Sequence, residues 1–391
     1  MKALVAASRR RDAWLVIVAL AVAMSLPGAV AAGVPPPRAD TPDAGELTNV
    51  PLLAYYYIWF QSTSWERAKT DEPLLGAYTS DDEAVMRQHV SWAKAAGIDG
   101  FIVSWKSTAL LDRRLRTLVS VANELDFRLA IIYQGLDFHR EPLPYERIAE
   151  DLDWFISELA DAPAFTLWEK PLVIWSGTWR FSEAEIADVT ALRRDRLLIF
   201  GSEHEPEGAA RLADLVDGQA YYWASANPER NSRYETRLAE MADATRNAGG
   251  RWLVPAAPGF DARLVGGKSI VERHDGATLR RQLDAAMATL PDAVGLISWN
   301  EFSENTHVEP SRREGHRYLD LLADLAEMPP LDLADFDSSA PEGTVPEWTG
   351  RALALLAVAG AAVGGVVATY RRTRPRGDGN DAATPNGGAP P

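Results

Sequence analysis

The most informative stretch of this chain is Gly295-Leu296-Ile297-Ser298-Trp299-Asn300-Glu301-Phe302-Ser303-Glu304. Its pattern predicts a buried apolar strand that ends in Trp, Asn and two carboxylates, at the point where barrel and open α/β enzymes carry out chemistry. Two glutamates held close together do not ionise independently, so one is driven to donate a proton while the other stays a base or nucleophile. Such a pair is typical of glycoside cleavage. A solvated helix N-terminus, where the dipole favours acids, is the alternative interpretation.

Outward from this stretch, short apolar runs alternate with amphipathic segments over residues 51–328. Most runs are continuous, as expected of parallel strands buried on both faces. Strands are predicted at 52–60, 100–105, 128–134, 172–176, 197–201, 219–223, 252–257 and 294–299. Helices are predicted at 82–96, 110–125, 145–160, 183–194, 207–216, 233–248, 276–289 and 316–327. Eight such alternations predict an α/β fold with a single (β/α)8 TIM barrel, and a doubly wound open sheet is the alternative.

Composition excludes several classes of function. The chain has 391 residues, no cysteine and a formal net charge of −15. An acidic surface repels a phosphate backbone, so no nucleic-acid partner is expected. No Gly-x-Gly-x-x-Gly follows the first predicted strand, no Walker loop occurs, and no His, Asp or Glu cluster has firm metal-ligand spacing. No cofactor and no metal are therefore expected.

Both ends of the chain carry membrane signals. A basic segment, an apolar run at 13–26 and small residues predict a signal peptide over 1–32. A linker is expected at 33–50, a Pro-rich acidic stalk at 329–351, a transmembrane helix at 352–370 and a cytoplasmic disordered tail at 371–391. Arginines after the apolar run place the C-terminus in the cytoplasm and the barrel outside the cell, as a single-pass membrane protein. An uncleaved N-terminal anchor and a soluble C-terminal helix are the alternatives.

Aromatic side chains are dense at the predicted strand ends. Flat rings pack against the C–H faces of sugars while their polar edges form hydrogen bonds, so an oligo- or polysaccharide is the expected ligand. The candidate substrate contacts are Tyr56, Tyr57, Trp59, Trp105, Tyr133, Trp175, Tyr222 and Trp223, with the polar residues Asn300 and Glu309. Any one ring could instead belong to the core, because alternation directs only half of a strand inward. The charged Glu203-His204-Glu205 favours loop solvation, with substrate contact second.

The stretch Trp299-Asn300-Glu301-Phe302-Ser303-Glu304-Asn305-Thr306-His307-Val308-Glu309-Pro310 resembles the Trp/Phe-Asn-Glu-Trp-x-Glu-Gly-Thr-x-Ile-Glu-Pro signature of glycoside hydrolase family 99. Members are endo-α-1,2-mannosidase and endomannanase (β/α)8 barrels. The resemblance spans roughly residues 51–328. Three further stretches are similar to the family's first strand, second strand and strand-seven loop, namely residues 55–60, 97–105 and 258–261.

This resemblance implies a division of labour between the carboxylates. Glu301 would take the proton of the sugar's own 2-hydroxyl, and Glu304 would act as general acid and then as base. The reaction would retain configuration through a 1,2-anhydro sugar, a substrate-assisted departure from the two-carboxylate scheme. Phe302 stands where the family has Trp, and Asn305 where it has Gly.

An exported, membrane-anchored glycoside hydrolase cleaving an α-linked, mannan-like glycan is the resulting expectation. A non-catalytic glycan-binding barrel and an α-glucanase of conventional mechanism are the alternatives.

Overall fold

A closed barrel of eight parallel strands forms the fold, in a computed structural model that describes residues 50–137 and 139–329. The barrel strands are β1 (Leu52–Tyr57), β2 (Gly100–Trp105), β3 (Arg128–Gln134), β4 (Leu172–Ser176), β5 (Leu198–Gly201), β6 (Gly218–Ala220), β7 (Arg251–Ala256) and β10 (Ala293–Leu296). Between β7 and β10, two short strands, β8 (Phe260–Asp261) and β9 (Ile270–Val271), form an antiparallel hairpin. The predicted (β/α)8 barrel is therefore confirmed.

Helices follow the barrel strands and surround them. They are α1 (Glu83–Ala95), α2 (Ala109–Glu124), α3 (Tyr145–Glu158), α4 (Glu183–Thr190), α5 (Pro206–Arg211), α6 (Tyr234–Asn247), α7 (Ala277–Met287) and α8 (Arg317–Leu325). Within the described ranges, none of these helices combines the length and the apolar character that crossing a membrane requires. The predicted signal peptide at 1–32 and transmembrane helix at 352–370 lie outside the described residues.

The barrel closes where the first and last barrel strands meet. Leu53 of β1 pairs with Gly295 of β10 on one side and with Gly100 of β2 on the other. A side chain at Gly295 would clash with residues inside the barrel, because its Cβ would lie 2.6 Å from Leu253 and 3.0 Å from the Tyr55 ring. The small residue lets the bulky Tyr55 fill the inside of the barrel.

Alternation along each strand separates two apolar layers. In β1, Leu53 and Tyr55 belong to the cluster inside the barrel, whereas Ala54 and Tyr56 belong to the larger cluster between the barrel and the helices. Both faces of most strands are thus apolar, which explains the continuous runs in the sequence. Successive side chains of a strand point in turn into the barrel and toward the helices, so a residue's place in this alternation decides whether it reaches the interior.

Three strands are shorter at their carboxyl ends than the sequence predicts. β1, β6 and β10 end three residues early, at Tyr57, Ala220 and Leu296. Beyond β6 and β10 the chain keeps hydrogen bonds to one neighbouring strand, from Tyr221 N–H to the Leu253 carbonyl at 3.2 Å and from Trp299 N–H to the Tyr55 carbonyl at 2.8 Å. The apolar character therefore continues past the ladder, because these residues are still buried against the barrel as they enter the site.

Candidate active site

Glu301 and Glu304 both lie buried in the turn that follows β10, with 7% and 2% of their surfaces exposed. The backbone N–H of Glu301 donates to Ser298 Oγ at 2.9 Å, and the N–H of Ser303 donates to Glu301 Oε1 at 2.9 Å. The backbone N–H of Asp261, in β8 of the hairpin, donates to the Glu304 carbonyl at 2.7 Å. Among the described residues, Glu304 Oε2 has no hydrogen-bond partner. The turn thus holds one carboxylate by a backbone donor and leaves the other open.

The two carboxyl groups have different electrostatic surroundings. Burial raises the pKa of Glu301, while the Ser303 N–H and the charge of Lys69 oppose that rise. Burial, and then the negative charge of Glu301, raise the pKa of Glu304 well above its ordinary value, with Arg140 opposing. Glu304 therefore keeps its proton to higher pH, and the pair consists of a protonated acid beside a carboxylate.

A pair of tyrosines lies close to these carboxylates. The hydroxyls of Tyr57 and Tyr222 are 2.9 Å apart. Burial, then the charges of Glu301 and Glu304, raise the pKa of Tyr57 well above its ordinary value, so its phenol stays neutral. The Trp59 ring stacks on Tyr57 with centroids 4.3 Å apart. Three of the predicted substrate contacts are thus brought together with the two glutamates.

Five other predicted contacts point away from the barrel interior. Trp105 Nε1 donates to Asp112 of α2 at 2.9 Å, and Tyr133 OH donates to Asp151 of α3 at 2.8 Å. Each such residue occupies the outward phase of its strand or strand end, where it packs against helices. The prediction that these residues contact a sugar is therefore corrected. Four of them belong to the core, namely Tyr56, Trp105, Tyr133 and Trp175, and the fifth, Trp223, is partly buried and packs against that core.

Asn300 and Glu309 are also not available to a sugar. Both side-chain ends of Asn300 bind the backbone of Tyr57, with Oδ1 accepting from its N–H at 2.9 Å and Nδ2 donating to its carbonyl at 3.0 Å. The Glu309 side chain is completely buried and bonds to His89 and Tyr78. The prediction that these residues contact substrate is corrected, because protein groups already use their polar atoms.

Two departures from the family signature leave the turn intact. Asn305 has φ of +54°, in the left-handed region that glycine adopts most easily and asparagine tolerates best among other residues. Arg273 holds it there by donating to Asn305 Oδ1 and to its carbonyl, both at 3.1 Å. The Phe302 ring stacks on His307 with centroids 4.1 Å apart. Asn305 and Phe302 thus both contribute contacts that hold the turn carrying the two glutamates.

Two basic residues near the carboxylates escaped prediction from the sequence. Lys69 lies near Glu301, and its ammonium donates to the Ser64 carbonyl at 2.9 Å. Arg140 lies near Glu304 and is half-buried. Both come from the irregular loops that follow β1 and β3, past the predicted strand ends, where no periodic pattern marks a residue. His204 lies near Arg140, is exposed to solvent, and packs its ring on that of Trp179 with centroids 3.8 Å apart.

Comparison with known proteins gives consistent relatives. A model of glycosyl hydrolase family 71 matches residues 74–321. A glycoprotein endo-alpha-1,2-mannosidase-like protein from Danio rerio is 22% identical over 280 residues, which are 63% of this chain and 61% of that relative. The chain therefore spans less than two thirds of the length of this curated relative.

Solved structures share the barrel. The GH99 endo-alpha-mannosidase from Bacteroides thetaiotaomicron superposes with a TM-score of 0.64 at 18% identity, covering 71% of this chain and 96% of that one. A glycoside hydrolase-like protein superposes with a TM-score of 0.55 at 17% identity, covering 71% and 93%. The predicted resemblance to family 99 is confirmed by these relatives. The match over most of the barrel shows that the chain belongs to glycosyl hydrolase family 71, a family of glycoside hydrolases.

Proposed function

We propose that this chain is a retaining endo-α-mannosidase that cleaves a mannan-like glycan through a 1,2-anhydro sugar. One observation carries the proposal, namely the asymmetry of the buried pair. The Glu301 carboxylate accepts a backbone N–H and lies near Lys69, so its ionised form is supported. Glu304, whose pKa burial and Glu301 raise further, has an oxygen that no described residue binds. The asymmetry supports Glu301 as base and Glu304 as acid.

The proposed reaction has two steps with balanced proton transfers. Glu301 takes the 2-hydroxyl proton, the freed oxygen attacks C1, and Glu304 gives its proton to the departing glycosidic oxygen. Water then attacks C1 as Glu304 takes one of its protons, while the C1–O2 bond breaks and Glu301 returns its proton to O2. Each step inverts C1, so the overall configuration is retained, without an ester to the enzyme.

This route favours mannose over glucose at the cleaved residue. In an α-mannoside the 2-hydroxyl is axial and trans to the axial leaving group, so its oxygen reaches C1 from the opposite face. In an α-glucoside the 2-hydroxyl is equatorial and cis to the leaving group, which prevents that attack. Such alignment is worth several orders of magnitude in rate. Tyr57, Trp59 and Tyr222 supply aromatic surface for the sugar at the same end of the barrel.

The test is digestion of α-mannan and α-glucan oligosaccharides by the full chain in detergent. We expect internal cleavage of α-mannan, with the α-anomer formed first when the products are followed by NMR, and no cleavage of α-glucan. The β-anomer as first product would refute the retaining route. Binding of α-mannan without any product would instead support a non-catalytic glycan-binding protein.

We also propose that the chain is exported and held at the membrane by residues 352–370. The support is an uncharged apolar run of near-spanning length followed by arginines at 371, 372, 374 and 376. Deletion from residue 352 onward should move the protein from the membrane fraction to the soluble extracellular fraction. If the shortened chain stayed on membranes, the anchor would be the N-terminal segment.

A further inference from the structure

Two fully buried ionisable groups take no part in the proposed chemistry. His89 of α1 and Glu309 have no exposed side-chain surface, and His89 Nε2 lies 3.1 Å from Glu309 Oε1. The other His89 nitrogen is 3.0 Å from the Tyr56 hydroxyl. The other Glu309 oxygen accepts from the Tyr78 hydroxyl at 2.8 Å. Burying a carboxylate is costly unless its oxygens are satisfied, and here both are.

Tyr78 connects this buried pair to Asn300. Asn300 Nδ2 donates to the Tyr78 hydroxyl oxygen at 3.3 Å as well as to the Tyr57 carbonyl. A carboxylate such as Glu309 only accepts hydrogen bonds, so the Tyr78 proton points toward it and the hydroxyl lone pairs face Asn300. The Tyr57 backbone already sets which way the Asn300 amide faces, because a flipped amide would place its oxygen against the Tyr57 carbonyl. Tyr78, oriented by Glu309, adds a further acceptor for Nδ2 and so helps to hold the Asn300 side chain in place.

Asn300 in turn supports Tyr57 on the β10 side, whereas β2 pairs with Tyr57 on the other side through Ser104. The paired register of β1 with β10 stops at Ala54 and Leu296, three residues before Tyr57. Beyond it, the Asn300 side chain takes the place of a strand by bonding both backbone groups of Tyr57. The hydroxyl of Tyr57 meets Tyr222 at 2.9 Å. The position of the tyrosine pair relative to the carboxylates thus depends in part on the Asn300 amide, which supplies the contacts on the side of Tyr57 that faces the catalytic turn.

We propose that Glu309 is a positioning residue that acts through Tyr78 and Asn300 to hold Tyr57 beside the two catalytic carboxylates. The inference rests on the proposed function, since it concerns the same site. A purely structural alternative is that Glu309 only balances the buried His89. The network separates the two cases, because Tyr56 and Tyr78 both bond to the His89–Glu309 pair but only Tyr78 reaches Asn300.

The experiment compares Tyr78→Phe with Tyr56→Phe as its matched control. Each removes one buried hydroxyl from the same network and keeps the ring, so similar falls in Tm are expected. Tyr78→Phe should lower kcat on α-mannan about 10- to 100-fold more than Tyr56→Phe, because small misplacements at a reacting centre have effects of that order. KM should change less than kcat. Equal falls in kcat, or falls that follow Tm, would overturn the positioning role.

Crystal structures of the two variants separate this inference from the proposed function. If the wild type turns over no α-mannan, the function fails while the positioning role remains open to this structural test. Tyr56→Phe should keep both Asn300 bonds to Tyr57 unchanged, and Tyr78→Phe should lengthen or break them. Unchanged Asn300 bonds in Tyr78→Phe would refute the inference whatever the activity.

Discussion

Glu304→Gln should lower kcat on an α-mannoside by on the order of 100- to 10,000-fold, the usual contribution of a general acid. The amide keeps the shape of the side chain and has no acidic proton to transfer. In an aryl α-mannobioside with a dinitrophenyl leaving group, the leaving group departs without protonation. Cleavage of its glycosidic bond, the first step, should therefore be far less affected by the substitution. Steady-state and burst kinetics on the two substrates measure the difference. A normal rate on the unactivated substrate would exclude Glu304 as the acid.

The pH profile gives an independent reading of the same residue. Glu304 works when protonated, and burial beside Glu301 raises its pKa. Activity should therefore fall as pH increases through that raised pKa, and it should also fall at low pH, where Glu301 becomes protonated and can no longer act as the base. On the unactivated substrate the wild type should show this alkaline limb, and the residual activity of Glu304→Gln should not. Glu205→Gln is the control, because that exposed carboxylate pairs with Arg237 at the surface and should leave the profile unchanged.

The same substitution should not destabilise the protein. A carboxyl whose folded pKa is raised opposes folding at any pH above its unfolded value, where the unfolded chain is ionised. Glu304 is such a group, with an unbonded oxygen in the described structure. Its replacement by a neutral amide should leave the Tm at neutral pH equal or higher. Lost activity with undiminished stability is the pattern expected of a residue kept for chemistry.

The barrel could be predicted because its signals are local. Parallel strands buried on both faces give continuous apolar runs, and surface helices give amphipathic ones, so eight alternations are visible without tertiary information. Strand ends were less well predicted. β10 stops at Leu296, yet residues as far as Trp299 are buried. Burial continues past the ladder there, and hydrophobicity alone does not mark where pairing ends.

The site was only partly predictable for a related reason. The glutamates were found because they adjoin a strand end in the sequence. Tyr55, Tyr56 and Tyr57 are consecutive, and a strand that is apolar on both faces gives no pattern to show which of them points inward. Only the register of the closed barrel decides that Tyr56 faces α1 while Tyr57 faces the site. Lys69 and Arg140 required loop positions that no periodicity predicts.

Glu301→Gln should also lower kcat on an α-mannoside by on the order of 100- to 10,000-fold, because the amide cannot accept the proton of the 2-hydroxyl. A substrate with a 2-deoxy sugar at the cleaved residue lacks the attacking oxygen, so the wild type should lose the same step. The two changes, one in the enzyme and one in the substrate, form a double-change cycle. It requires four rates, those of the wild type and of Glu301→Gln on an aryl α-mannobioside and on its 2-deoxy counterpart. Rates without enzyme are subtracted, since 2-deoxy glycosides hydrolyse readily.

The two losses belong to a single interaction and should not add. On the 2-deoxy substrate, Glu301→Gln should reduce turnover by no more than about threefold beyond the loss already caused by the missing hydroxyl. A carboxylate that attacked C1 directly would behave differently, because it needs no 2-hydroxyl. In that case Glu301→Gln would reduce turnover of both substrates to the same extent, and the pair would be a conventional nucleophile and acid. The size of the coupling therefore decides which atom attacks C1, the sugar's own oxygen or that of Glu301.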